Sequence, residues 1–441
     1  MKETRTARTG VEETESIYQV FIRNYTEAGT FRAAIERLDE VRDLGFDWVY
    51  LTPIHPIGVT ARKGKLGSPY AIADYALVNP ELGTLDDFLS FGRAVRDRDM
   101  KLMIDVVYNH TAPDSRLASE HPEWFLRGKD GKPGRKCADW SDVIDFDFDS
   151  SRELWEELIK TLVYWRKQGA DGFRCDVASL VNSEFWRAAR RRVNDTDPAT
   201  GTDKRPTLWL AESVHPHFLL SMRDNGFGAW SDGELHEAAF DLSYDYDGWE
   251  KLERVWSGEV PLSAYMDHLT TQRALSPAYC RKIRYLENHD QRRAADRFGR
   301  GPRLEAWTAF YQLLPGSTFA YMGQEYALEK RPSLFDPDPV RWEDGDDAFR
   351  KYFAVCFAAT QRIKREAPRF SWKVLGEGVV LLERSGKKSR FTALVNLDGR
   401  SGSCNLSEPL CGIDLLSGKE MKLSGRIELP QGALILEYPS A

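Results

Sequence analysis

The sequence predicts an α/β fold: a (β/α)8 TIM barrel with a short inserted subdomain after strand three and a C-terminal antiparallel β-sandwich. Three observations predict it. Short apolar runs alternate with long helical patterns, as in a parallel sheet covered by helices. That rhythm breaks once, over residues 111–150, in a stretch of Pro, Gly, Asp and Trp without sustained period. From Trp372 the texture changes to short alternating strands such as VVLLER, FTALVNL, RIELP and ALILEY.

Each element has its own signal. SIYQVFI, from Ser16 to Ile22, reads as the first strand. Phe31, Ala34, Ile35, Leu38, Val41 and Leu44 recur at helical spacing and stop at Gly45, a good C-cap. Trp48 to Leu51 is the second strand and Leu85 to Arg96 a helix. KLMIDVV, from Lys101 to Val107, is a buried third strand. Forty residues without period are uncommon inside a compact domain unless they serve a function, so 111–150 reads as the inserted subdomain. Ser151 to Gln168 is an amphipathic helix, Gly172 to Val177 strand four, 184–193 a helix, and Leu208 to Ala211 strand five. Strand six is expected at Ala239 to Leu242, strand seven at Ile283 to Leu286 and strand eight at Thr318 to Met322. The expected domains are therefore a barrel of 1–110 and 151–370, an insert of 111–150, and a sandwich of 371–441.

Composition excludes several functional classes. The 441 residues hold 61 basic and 68 acidic side chains, a formal net charge of −7, which argues against a broad nucleic-acid footprint. Apolar content is 42% and charged content 29%, an ordinary globular balance. No apolar stretch reaches the ~18 residues that span a bilayer, and the first ten residues lack the apolar core of a signal peptide. A cytoplasmic location away from membranes is expected, or a leader already removed. Cysteines 137, 175, 280, 356, 404 and 411 form no CxxC pair and no metal spacing, as for reduced structural thiols. The 12% of aromatic residues also suits stacking on sugar rings. Oligomeric state is left open.

Polar residues gather where an enzyme barrel wants them, at the C-terminal ends of strands. Asp105-Val-Val-Tyr-Asn109-His110 ends strand three, and Gly172-Phe-Arg174-Cys-Asp176-Val177 ends strand four. Glu212, in Leu-Ala-Glu-Ser, ends strand five, and Glu287-Asn288-His289-Asp290 ends strand seven. A single strand-end carboxylate is ordinarily a loop cap. Four such motifs in strand order, one or more βα repeats apart, are not.

These motifs resemble the four short conserved regions of the α-amylase family of retaining glycoside hydrolases. GSPYAIADY (67–75) and VNPELGT (78–84) are similar to that family's early loop. The resemblance runs from about residue 16 to 345. It implies Asp176 as nucleophile, Glu212 as acid/base with its pKa raised by burial and nearby charge, and Asp290 as a third carboxylate gripping the sugar. It implies that Arg174 keeps Asp176 ionised, that His110 and His289 donate to sugar hydroxyls, and that Tyr70 stacks on the ring. Arg293 then lies at the pocket edge and His215 near the leaving group, while Glu325 is architectural. Retention needs two carboxyl groups about 5–5.5 Å apart, one as nucleophile and one as acid then base, and no organic cofactor.

The implied function is retaining hydrolysis of α-1,4-glucosidic bonds in maltooligosaccharides and soluble α-glucans through a covalent intermediate. Glucosyl transfer or α-1,6 cleavage on the same site is the rival reading, and a non-catalytic glucan-binding protein the remote one. Ser179 and Leu180 stand where many members carry Lys and His, which weakens the grip on long chains and leaves Asn109 without oxygen-rich company for calcium. No metal is therefore expected for catalysis, although Asp139, Asp142 and Asp145 of the insert offer oxygen ligands for a structural ion. The GFRCDVASLV stretch with Phe185-Trp186 is closer to neopullulanase and maltogenic members, and Val177 to members that also accept α-1,6 bonds.

Overall fold

The computed structural model describes residues 15–128, 131–196, 206–277 and 279–438; the first ten residues, weighed above as a leader, lie outside them. Eight parallel strands form a closed barrel: β1 (Ser16–Val20), β2 (Trp48–Leu51), β3 (Lys101–Val106), β4 (Gly172–Cys175), β5 (Leu208–Ala211), β6 (Leu242–Ser243), β7 (Arg281–Arg284) and β8 (Ser317–Tyr321). Their order around the barrel follows their order in the chain. The described residues pack as two compact units, one within 18–247 with 332–340, the other within 248–331 with 341–438 and residues 15–17.

In the first unit the register of β2 to β6 aligns the strand ends. Trp48 pairs with Lys101, Asp105 with Arg174, Arg174 with Leu210, and Ala211 with Ser243. These strands are buried along their whole length apart from Lys101, which is why they read as continuous apolar runs. The covering helices have clear causes. Helix α1 (Leu85–Arg96) opens on a capping box between Thr84 and Asp87, and buries Phe88, Phe91 and Val95. Helix α2 (Arg152–Lys167) is capped by Ser151 and buries Leu154, Leu158, Leu162 and Trp165. Helix α3 (Ser183–Asn194), capped by Asn182, buries Phe185, Trp186 and Ala189. The helix expected over 31–44 is two short ones, Phe31–Ile35 and Leu38–Leu44, broken at Arg37, whose φ of −103° and ψ of 0° leave the helical region. The expected insert of 111–150 holds a helix at Arg116–Glu120, and a two-stranded antiparallel ribbon, His110–Thr111 against Ile144–Asp145, begins one residue before it.

In the second unit β7 pairs with β8, Ile283 opposite Ser317. The C-terminal region folds as a six-stranded antiparallel sheet and a separate two-stranded ribbon, Ser403–Asn405 with Arg426–Glu428. Arg384 ties that sheet to the long helix α4 (Pro302–Leu313): its buried guanidinium donates twice to the Leu313 carbonyl, at 3.1 and 2.8 Å. That carbonyl is one of those a helix end leaves without an internal partner. Gly316, entering β8 at φ +120°, has no alternative, since a Cβ there would meet Lys282 O at 2.4 Å.

Two buried histidines make the fold sensitive to acid. His55 is 1% exposed, donates from Nδ1 to the Leu77 carbonyl at 3.1 Å and packs on Trp165. Burial lowers its pKa to about 4, and lowers that of His110 to about 4 as well. The unfolded imidazoles take up protons near 6.5, so between those values the unfolded chain binds more protons than the folded one. Stability is complete above pH ~6.5 and is lost as pH falls towards 4, by about 3 kcal/mol per histidine. Urea midpoints should fall between pH 7 and 4.5, and less steeply in His55→Gln. A pH-independent midpoint over that range would contradict the burial argument.

Candidate active site

The carboxylates at the ends of β4 and β5 are placed by backbone hydrogen bonds that carry the ladder past the strands. Asp176 N donates to Val106 O at 2.9 Å, Glu212 N to Cys175 O at 3.0 Å, and Ala178 N to Glu212 O at 2.8 Å. Arg174, two residues before Asp176, points to the same side of β4. Its guanidinium is fully buried and meets three carboxyl groups. Nη1 lies 2.7 Å from Asp176 Oδ1 and 3.0 Å from Asp105 Oδ1, and Nη2 lies 2.7 Å from Glu212 Oε1.

Asp105 was read from sequence only as the start of a motif. It is fully buried, and accepts from the phenols of Tyr50 and, at 3.0 Å, Tyr70. Burial raises its pKa to about 6 against the opposing pull of Arg174. Tyr70 is half-buried, and the Arg174 guanidinium lies 5.7 Å from its ring centroid and 5.5 Å from that of Tyr244. Tyr50, Tyr244 and Tyr246 carried no local signal in the sequence. Each sits in an apolar or mixed run, and their part depends on strand register.

Val177, next after Asp176, has φ +40° and ψ +43°. A β-branched residue in the left-handed region stores about 1–3 kcal/mol of strain, a feature concentrated at functional sites. Here the turn aims the Val177 N–H at Glu212 Oε2, 2.9 Å away. Tyr246 adds a longer contact to Glu212 Oε1, at 3.5 Å. Ser179 and Leu180 are turned into the fold. The Ser179 hydroxyl accepts from Val214 N at 3.2 Å, and Leu180 packs with Val177, Leu219, Met222 and Ala229.

His110 is 5% exposed, with Nε2 3.9 Å from Asp176 Oδ2 and its ring 5.4 Å from that of Trp140. His215 is half-buried; its Nδ1 donates to the Tyr246 carbonyl at 3.1 Å and its ring lies 4.8 Å from the Tyr246 ring. The first unit thus brings together Asp176, Glu212, Arg174, Tyr70 and His110 around one guanidinium, with His215 linked through Tyr246.

In the second unit His289 is buried beside the half-exposed Asp290, Nε2 to Oδ2 3.1 Å. The Asn288 side chain accepts from Asp290 N and Gln291 N at 2.8 and 2.9 Å, which fixes the turn beyond β7. Arg293, expected at a pocket edge, is 1% exposed. It donates to Glu287 at 2.6 Å and to the carbonyls of Met322 and Lys330, at 2.9 and 3.2 Å. Those contacts describe a buried ion pair holding the strand ends together. Glu325 is also architectural, accepting from Gly323 N at 3.0 Å.

Among the described residues no group of three or more His, Cys, Asp or Glu side chains is arranged to hold a metal. Asp142 pairs with Lys63 at 2.9 Å, and Asp145 accepts from Lys136 N at 2.9 Å. The Asn109 amide oxygen faces the Lys136 ammonium at 2.7 Å.

The family model described as the alpha amylase catalytic domain matches residues 16–143 and 139–367. An alpha-amylase crystal structure from Lactobacillus plantarum is 38% identical, with a TM-score of 0.89, and the match covers 97% of this chain and 99% of that one. A maltogenic alpha-amylase from Thermotoga neapolitana is 29% identical, with a TM-score of 0.82 and the same coverage. An alpha-1,4-glucan:maltose-1-phosphate maltosyltransferase of Myxococcus xanthus is 32% identical over 57% of this chain and only 38% of its own length. An alpha-amylase of Haloarcula japonica is 24% identical over 94% of this chain and 60% of its own length. The alignments thus span less than two thirds of these curated relatives.

Proposed function

Because the chain belongs to the α-amylase family, we propose that it hydrolyses α-1,4-glucosidic bonds of maltooligosaccharides and soluble α-glucans with retention of configuration. The observation that carries this reading is the single Arg174 guanidinium touching both Asp176 and Glu212. A shared guanidinium is compatible with the about 5–5.5 Å separation of a retaining pair. In this reading Asp176 attacks the anomeric carbon while Glu212 gives its proton to the glycosidic oxygen. The sugar is then held as an ester of Asp176. Water attacks that ester, Glu212 takes the water's proton, and both groups return to their starting state.

Asp290 serves as the third carboxylate, supported by its place in the Glu-Asn-His-Asp motif beyond β7 and by its contact with His289. His110, His215, His289 and Tyr70 bind sugar. Arg293 acts on the site through the fold rather than by touching sugar, given its enclosure by Glu287. The division into barrel, insert and C-terminal sheet domains is part of the same proposal. No organic cofactor is needed, since the two carboxyl groups supply nucleophile and proton. The Lys136 contact at Asn109 supports a site that works without calcium there. No described helix is long and apolar enough to cross a membrane; the cytoplasmic placement rests on cysteine usage.

Substrate size follows from Ser179 and Leu180. Both are turned into packing, so neither grips the leaving-group side of a long chain. Binding energy from remote subsites raises turnover on polymers, and its loss is felt most with starch. We expect kcat/KM on maltotetraose at least about fivefold above that on soluble starch, with glucose and maltose as products. Slow cleavage of pullulan is expected beside Val177.

Transfer is the second reading, favoured by the relatives named as maltosyltransferases. A panel of maltotetraose, soluble starch, pullulan, sucrose and maltose 1-phosphate separates the two. Phosphate release from maltose 1-phosphate with lengthening of a glucan acceptor, faster than maltotetraose hydrolysis, would replace hydrolysis by transfer. Rapid viscosity loss on starch with little action on maltotetraose would overturn the size argument.

A further inference from the structure

We infer that Lys136, from the inserted segment, is a positioning residue that fixes the tautomer of His110 by orienting the side-chain amide of Asn109 between them.

The argument needs only donor and acceptor arithmetic. The Lys136 ammonium lies 2.7 Å from one end of the Asn109 amide and 3.1 Å from the carbonyl of Leu180. An ammonium has donors and no acceptor, so the amide end facing it must be the oxygen. The other end, 3.1 Å from His110 Nδ1, is therefore the NH2 group, which also only donates. His110 Nδ1 must then be the acceptor, and the proton of the neutral ring must sit on Nε2. Nε2 is the nitrogen on the Asp176 side, 3.9 Å from Oδ2. A lysine on the insert thereby sets which ring atom can donate towards the reacting carboxylate.

The rest of the surroundings agree. Protonating Nδ1 would place one N–H against another, and burial already disfavours the charged ring. Lys136 is anchored from both sides, by its backbone N–H on Asp145 Oδ2 at 2.9 Å and by its ammonium on the turn after β4. His110 is anchored by its backbone, whose carbonyl accepts from the Tyr75 hydroxyl at 2.8 Å. The amide lies between these two anchored residues, and the lysine sets which of its ends faces the ring.

The test is the protonation pattern of His110 in 15N-histidine-labelled enzyme, read from two-bond proton–nitrogen correlations and assigned by the signal lost in His110→Gln. Wild type should show a protonated Nε2 and a bare Nδ1. Lys136→Arg should keep that pattern, because a guanidinium also only donates. Lys136→Met frees the amide to turn, and should move at least about half of His110 to the Nδ1–H form. Turnover of maltotetraose should fall about tenfold in that variant with KM changed less than about threefold, and recover in Lys136→Arg. Asn109→Asp, with acceptors at both ends, should drive the proton to Nδ1 even with Lys136 in place, which covers a Lys136→Met that does not fold. A protonated Nδ1 in wild type would overturn the inference. So would an unchanged His110 signal in folded Lys136→Met or Asn109→Asp. The kinetic arm rests on the glycosidase reading and the tautomer signal does not, so the two fail separately.

Discussion

Asp176→Asn should lower turnover on maltotetraose by at least about 10³-fold while leaving the fold and sugar binding in place. An amide cannot form the ester to the anomeric carbon, and the double-displacement route closes with it. A 10³-fold loss is about 4 kcal/mol of transition-state stabilisation, modest for a covalent nucleophile. The fold should survive because Arg174 keeps its contacts with Asp105 and Glu212. Unfolding midpoints and binding of maltotetraose to the inactive variant check that half of the expectation. Asp176→Gly with azide and a substrate carrying an activated leaving group checks the other. The anion should enter from the vacated face and yield a glycosyl azide of inverted configuration. A variant keeping more than about a tenth of the wild-type rate would remove Asp176 from the nucleophile position.

Arg174→Leu should be the most destabilising single change at the site. It removes the cation shared by Asp105, Asp176 and Glu212, all three buried. Breaking a buried pair from one side costs about 3–5 kcal/mol, because the desolvated charge left behind has no counterion. The carboxyls can relieve this by taking up protons, and Asp105 already does so near pH 6 with the arginine present. Removing the arginine favours proton uptake further, so the variant's deficit should be largest at pH 7 and shrink towards pH 5. Urea unfolding of both proteins at the two pH values measures it. A deficit unchanged by pH would assign the loss to packing instead of charge. Arg174→Lys should recover only part, since a point charge cannot reach all three carboxyl groups as a fork does.

Much of the barrel was legible because its strands are short buried runs between helical periods. β2 and β5 fall on the expected residues, and β3 differs by one. β6 begins later than expected because Ala239 and Phe240 close the end of the preceding helix, Asp232–Ala238, their N–H groups both donating to Leu235 O. Local apolarity could not show that. β7 begins two residues earlier than expected, at Arg281. Lys282, a charged residue just before the expected start, is buried in the strand, as is Arg284, which reaches the Pro315 carbonyl and Gln272.

The site divides the same way. Asp176, Glu212 and Arg174 announce themselves through position and spacing within one or two strands. The Tyr50–Asp105 contact needs the register of β2 on β3, and Lys136 lies in a segment with no period at all. Arg293 was legible as a motif position but its burial was not, because its partner Glu287 reads equally well as a solvated strand-end acid.

The three-way contact of Arg174 also decides how a pH–rate profile of this enzyme is to be read. Asp105, Asp176 and Glu212 share one counterion, so each proton taken up by one changes the field at the other two. Groups coupled in this way titrate as a set, and the apparent constants of the two limbs belong to the set. Substituting Asp105, which touches no reacting atom in the proposed mechanism, should therefore displace both limbs of the bell together.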